Sequence, residues 1–274
     1  MMRARVLLAS GLFAALAATS FVANATHAGF TTSTATGGSA IAAFVGGIPV
    51  TDGLVLELQA DALTLTDGDP VASWPDTSGH SNDAEQPVAS TRPTFTTDAA
   101  NTLPAVRFDG GDQLLVPQDA SLEPDALSLF AVVNVDSASA DAASGLISTA
   151  DVDSFTPGYT IFHRADVWEF RIASGDWSDA TGAGKPRDQT VVLAATYDSG
   201  SQQQTLYQNG TELASAGGQA LSFNNNPLQI GSWFSDRAFT GDIAAVALYD
   251  RALPAAEREQ VEGYLEDKWL GVAP

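Results

Sequence analysis

From residue 51 onward the chain alternates short apolar runs with turn-forming residues. Strand-length runs occur at 54–58, 105–108, 127–135, 159–163, 167–172, 190–197, 205–208, 228–230 and 241–249. Between them stand clusters such as Thr66-Asp67-Gly68-Asp69-Pro70 and Asp109-Gly110-Gly111-Asp112, whose residues favour turns. This rhythm predicts an all-β sandwich or jelly roll. No helix-periodic stretch separates the strands, which argues against a βαβ fold. Within 167–172, strict alternation sets Trp168, Phe170 and Ile172 on one face and Glu169 with Arg171 on the other. Asn209-Gly210 supplies two residues that tolerate positive φ, so 205–208 and 211–214 should form a hairpin with a type I′ turn. One amphipathic helix is expected, at 254–270. Pro254 suits its first turn, and Val261, Leu265 and Trp269 recur at i, i+4 and i+8 with most acids on other faces.

The segment before residue 51 has a different character. Arg3 and Arg5 precede an uncharged Ala- and Leu-rich run over 6–22, and Ala23-Asn24-Ala25 offers the small residues a signal peptidase accepts. Residues 1–25 therefore read as a signal peptide cleaved near Ala25-Thr26. Residues 26–50 read as a Thr/Ser/Ala/Gly-rich lead-in with an edge strand near 40–45, and 51–274 as the folded domain. The expected location is secreted, cell-surface or periplasmic. No later run is long enough to span a bilayer. Cysteine is absent, so disulfides contribute nothing.

Charge narrows the partners. With 33 acidic against 12 basic residues, the formal net charge is −21. Such a surface repels phosphate backbones, so no nucleic-acid partner is expected. Most of the acids serve solubility, and a few turn-clustered aspartates are candidates for a divalent cation.

Several stretches together resemble the laminin-G-like branch of the concanavalin A-like lectin/glucanase superfamily. They are Gly53-Leu-Val-Leu-Glu-Leu-Gln-Ala-Asp61, Ser73-Trp74-Pro-Asp76-Thr-Ser-Gly79-His-Ser-Asn82, Leu103-Pro-Ala-Val-Arg-Phe108-Asp109-Gly110, and Phe239-Thr-Gly241-Asp-Ile243 through Tyr249-Asp250-Arg251, running into the terminal helix. The resemblance spans about residues 51–270 and implies a concanavalin A-like jelly-roll β-sandwich. It fixes fold more firmly than function, because the superfamily includes lectins, adhesion modules, glycanases and lyases.

The glucanases of that superfamily place paired carboxylates on one strand, across the scissile bond. Here Glu57 and Asp61 lie four apart without the glucanase motif. Glu169 is the better candidate, but no second carboxylate shares its strand, so an ordinary solvated Glu169–Arg171 pair is favoured over catalysis. Lyase, serine-hydrolase, zinc-protease and phosphate-loop motifs are absent. His27, His80 and His163 are scattered, and His163, alternating with Tyr159 and Ile161, reads as packed. Oxygen ligands cluster at Asp67/Asp69, Asp109/Asp112 and Asp151/Asp153. Relatives hold calcium at the sandwich rim, which makes Asp109 and Asp112, with Gly110 and Gly111 between them, the first candidates for Ca²⁺. For sugar, Trp177 and Trp233 in polar loops offer flat faces, with Asp176, Asp236 and Arg237 as polar partners. Packing over the sandwich edge is the alternative for both tryptophans, while Trp74, Trp168 and Trp269 are assigned to the core.

The expectation is thus a non-enzymatic, exported carbohydrate-binding or adhesion module, calcium-assisted at the rim, whose partner is an extracellular glycan or polysaccharide. A structural or surface-protein interaction subunit is the first alternative, and a divergent polysaccharide hydrolase or lyase the second.

Overall fold

A computed structural model describes residues 47–139, 142–150, 157–174, 177–233 and 237–272, excepting the side chain of Trp177. The expected signal peptide and the lead-in up to residue 46 lie outside the described residues. The strands, in chain order, are β1 (Leu54–Gln59), β2 (Ser73–Trp74), β3 (Ala84–Glu85), β4 (Thr94–Ala100), β5 (Leu103–Asp109), β6 (Leu114–Val116), β7 (Leu127–Val135) and β8 (Ser144–Ser148). They continue with β9 (Gly158–Arg164), β10 (Val167–Ala173), β11 (Trp177–Ala183), β12 (Thr190–Asp198), β13 (Gln203–Gln208), β14 (Thr211–Gly217), β15 (Leu228–Ile230) and β16 (Thr240–Tyr249). One helix, α1 (Ala255–Leu270), follows.

Two antiparallel eight-stranded sheets form a sandwich. The first runs β14-β13-β12-β7-β16-β5-β4, with β1 pairing onto β16. The second runs β11-β10-β9-β8-β15-β6-β3-β2. The inner faces meet in one continuous core that includes Trp74, Trp168, Phe170, Tyr159, Leu129 and Leu206. Period-two alternation sets the register as the apolar pattern requires: Trp168, Phe170 and Ile172 are all buried in this core.

The outer face of the first sheet is covered by α1. Val261, Leu265 and Trp269 are buried beneath the helix, as their spacing requires. Pro254 is the N-cap rather than a first-turn residue, and Gly271 closes the helix in the left-handed conformation. Not every acid on α1 faces water: Glu262 is buried against Arg258, whose guanidinium also lies 4.0 Å over the Tyr207 ring. The β13–β14 hairpin turns on Asn209 (φ 47) and Gly210 (φ 71), the two positive angles of a type I′ turn. Ile48 and Val50, just ahead of residue 51, are buried in the same core. Among the described residues no helix is long and apolar enough to cross a membrane.

Candidate functional site

Among the described residues no helix lies above the outer face of the second sheet. Strand register defines what stands there. Opposite pairs place Asp179, Arg171 and Thr160 in one row across β11, β10 and β9, and Thr181, Glu169 and Phe162 in the next. Ser148 on β8 and Gln229 on β15 continue the first row. Polar residues dominate, yet the face is shielded: Thr160, Ser148, Glu169 and Phe162 are all 1% exposed or less.

Charge is arranged there in interlocking pairs. Arg171 grips Asp179 through two parallel hydrogen bonds, Nε to Oδ1 at 2.6 Å and Nη2 to Oδ2 at 2.8 Å, the strong fork geometry of a guanidinium on a carboxylate. Arg164 donates to Glu169 Oε1 at 2.6 Å. Burial raises the Glu169 carboxyl above its usual range, and Arg164 opposes the shift.

The expected solvated Glu169–Arg171 pair is corrected on both counts. Glu169 is buried and pairs with Arg164, and Arg171 turns to Asp179 on the neighbouring strand. A second carboxylate does share the face, delivered across strands rather than along one. The Glu57/Asp61 pair dissolves as well, because the chain leaves β1 for a 3-10 turn at Ala60–Ala62. Asp61 then meets Lys268 at 2.8 Å, while Glu57 accepts from Thr77.

Over this face folds the segment beginning at Gly231. Trp233 is 2% exposed, with its ring 4.5 Å from that of Phe162. Trp233 is therefore a packed edge residue and not the exposed loop platform that its polar neighbours suggest. Glycine at 145 makes the approach work, since a Cβ there would stand 2.1 Å from Trp233 Cβ. Two guanidinium groups flank the indole, Arg171 at 5.2 Å and Arg237 at 5.8 Å from its centre, and Arg171 also lies 4.9 Å over Phe162. Such cation–π contacts contribute about 0.5–2 kcal/mol each, depending on desolvation.

The sequence-predicted residues are only partly united. Trp233 and Arg237 touch. Position 177 pairs with Ala173, four residues along β10 from the Phe162–Glu169 pair, roughly 13 Å at about 3.3 Å per residue. The side chain of Trp177, and Asp176 and Asp236 altogether, lie outside the described residues, as do Asp151 and Asp153.

Asp109 and Asp112 sit at the end of β5, where Asp109 pairs with Thr240 beyond the Trp233 segment. Both carboxylates serve the turn: Asp109 Oδ1 accepts from the Gly111 amide at 2.8 Å, and Asp112 Oδ2 from the Asp109 amide at 3.1 Å. Burial and the neighbouring Asp109 push Asp112 up to about 6. Among the described residues no group of three or more His, Cys, Asp or Glu side chains is placed to hold a metal. Asp67 and Asp69 likewise accept from the backbone amides of Thr97 and Thr66.

His163 is packed as expected, edge-on to Trp168 and Phe239. What the sequence reading missed was Arg164, the aromatic partner Phe162 and the pairing of Asp179 with Arg171. Only the alternation within 158–164 hinted that Phe162 faces away from the core.

Comparison with known proteins fits this architecture. The family model described as the Concanavalin A-like lectin/glucanases superfamily matches residues 108–257. No curated protein matches the chain. Among solved structures, the binding domain of Paraclostridial Mosquitocidal Protein 1 is similar at a TM-score of 0.59 and 16% identity, over 78% of this chain and 52% of that one. Domain 4 of an extracellular arabinanase from Geobacillus stearothermophilus, solved with arabinotriose, is similar at 0.58 and 15%, over 76% and 98%. Trypanosoma rangeli sialidase is similar at 0.55 and 16%, over 80% of this chain but 34% of its own. The chain thus spans about half of the toxin binding domain and a third of the sialidase.

Proposed function

The chain belongs to the Concanavalin A-like lectin/glucanases superfamily, and on that premise we propose that it is an exported, non-catalytic carbohydrate-binding module that uses the outer face of β8–β11. One observation carries the reading: on a sheet face that no helix among the described residues covers, Arg171 is fixed by the fork on Asp179 and packs over the Phe162–Trp233 pair. Sugars carry a rim of hydroxyl groups that fixed polar side chains recognise by hydrogen bonding, and the partly exposed Arg171–Asp179 fork is such a group. Similarity to an arabinanase domain solved with arabinotriose supports the reading at the level of architecture.

Glu169 and Asp179 do not suit an acid–nucleophile pair, because each is already committed to an arginine and Glu169 is buried. Calcium is a further element of the proposal. The close Asp109–Asp112 carboxylates repel each other, and a hard cation held by them and by nearby loop carbonyls would relieve that repulsion.

The test is a polysaccharide array probed with the full chain, with and without EDTA, alongside Arg171→Gln. We expect binding to at least one polysaccharide, a loss of about tenfold or more in the variant, weakening by EDTA, and no release of reducing sugar. Absence of binding throughout would favour a surface-protein partner. Release of reducing sugar would overturn the non-catalytic assignment, and indifference to EDTA would remove calcium from it.

A further inference from the structure

Arg237 has an unusual position for a cation in this protein. Against a net charge of −21, it meets no carboxylate among the described residues, whereas Arg164, Arg171, Arg187, Arg251, Arg258 and Lys268 each do. Its guanidinium lies over the Trp233 indole, and its Nε is buried without a hydrogen-bond partner. The buried Nε1 of Trp233 likewise has none. Arg171, on the same indole, stands opposite Thr160, whose buried hydroxyl is a third polar group without a partner.

A buried N–H left unpaired costs about 1–3 kcal/mol, and native proteins seldom leave such donors idle without a reason. Here two sit on one pair of side chains, Arg237 and Trp233, beside a positive charge that no acid among the described residues neutralises. A neutral hydroxyl could accept from either N–H but would leave that charge uncompensated. A carboxylate or sulfate oxygen answers both needs, because a hydrogen bond between ions is about twice as strong as a neutral one.

We propose that Arg237 and the indole N–H of Trp233 form a subsite for the anionic group of an acidic glycan, so that the ligand class is a uronic-acid or sulfated polysaccharide. This rests on the carbohydrate-binding reading. Arg171 is held by Asp179 and keeps the indole in place, and Arg237 supplies the selectivity.

The test compares trigalacturonate with its carboxyl-reduced trimer, and a sulfated with a desulfated galactan oligosaccharide, by titration calorimetry on the full chain. The native chain should bind at least one anionic member about tenfold or more above its neutral counterpart. Arg237→Gln should bring the two near parity by lowering the affinity for the anionic member about tenfold or more, and Arg237→Lys should recover part of the preference. Thermal unfolding of each variant separates lost selectivity from lost fold. Equal affinity for charged and neutral members in the native chain, or a preference that survives Arg237→Gln, overturns this inference and leaves carbohydrate binding standing. Failure to bind any polysaccharide overturns both.

Discussion

Trp233 and His163 show how much a single side chain discloses in sequence. Flanked by Ser232, Phe234 and Ser235, Trp233 reads as an exposed loop ring, and in the structure it is buried on Phe162. The missing information is the glycine at 145, far away in sequence, whose lack of a side chain lets the loop close down. His163, by contrast, is placed correctly by alternation alone. It is fully buried, and burial lowers its pKa to about 3, with Lys185 and Arg187 adding to the effect. The sign of the consequence follows from linkage. The unfolded chain protonates this histidine near 6.5 and the folded chain only near 3, so the stability it contributes is full above 6.5 and is lost as pH falls between those values. Chemical denaturation at pH 7.5, 5.5 and 4 should therefore show a falling stability whose slope flattens in His163→Phe. An unchanged slope would place the acid sensitivity elsewhere.

At the level of elements, the strongly apolar strands were legible and the weakly patterned ones were not. The bounds of β7 and β15, the hairpin turn and the helix core all follow from periodicity. The strand β11 did not, because its sequence Trp-Ser-Asp-Ala-Thr-Gly-Ala is polar and small. It is an edge strand whose inward positions are Ser178, Ala180 and Gly182, and a Cβ at Gly182 would meet Leu213 at 2.5 Å. Missing β11 meant missing the cross-strand pairing by which Asp179 braces Arg171. The loop over the second sheet provides its own test. Gly145→Ala places a methyl group within 2.4 Å of the Trp233 amide nitrogen, so the segment from Gly231 must lift. We expect a cost of about 1–3 kcal/mol in unfolding free energy, a red shift in tryptophan emission as Trp233 meets water, and loss of polysaccharide binding. Retained binding with the shifted emission would show that the loop does not form the site.

For the molecule as a whole, the sandwich has two outer faces and uses them differently. The first is sealed by α1 over Tyr207, Gln59 and their neighbours, and the second carries charged side chains and a packed aromatic pair. Against a formal net charge of −21, Arg171 and Arg237 meet on that second face at Trp233. The fold was readable because turn chemistry and alternation are local. The site was half readable, because its members come from β9, β10, β11 and the Trp233 segment, and only register brings them together. Hydrogen exchange followed by mass spectrometry, on the full chain with and without a bound oligosaccharide, measures the central claim most directly. Protection confined to Gly158–Arg164, Val167–Ala173, Trp177–Ala183 and the segment from Gly231 to Phe239 is the predicted result. Protection centred instead on α1 and the first sheet would contradict it.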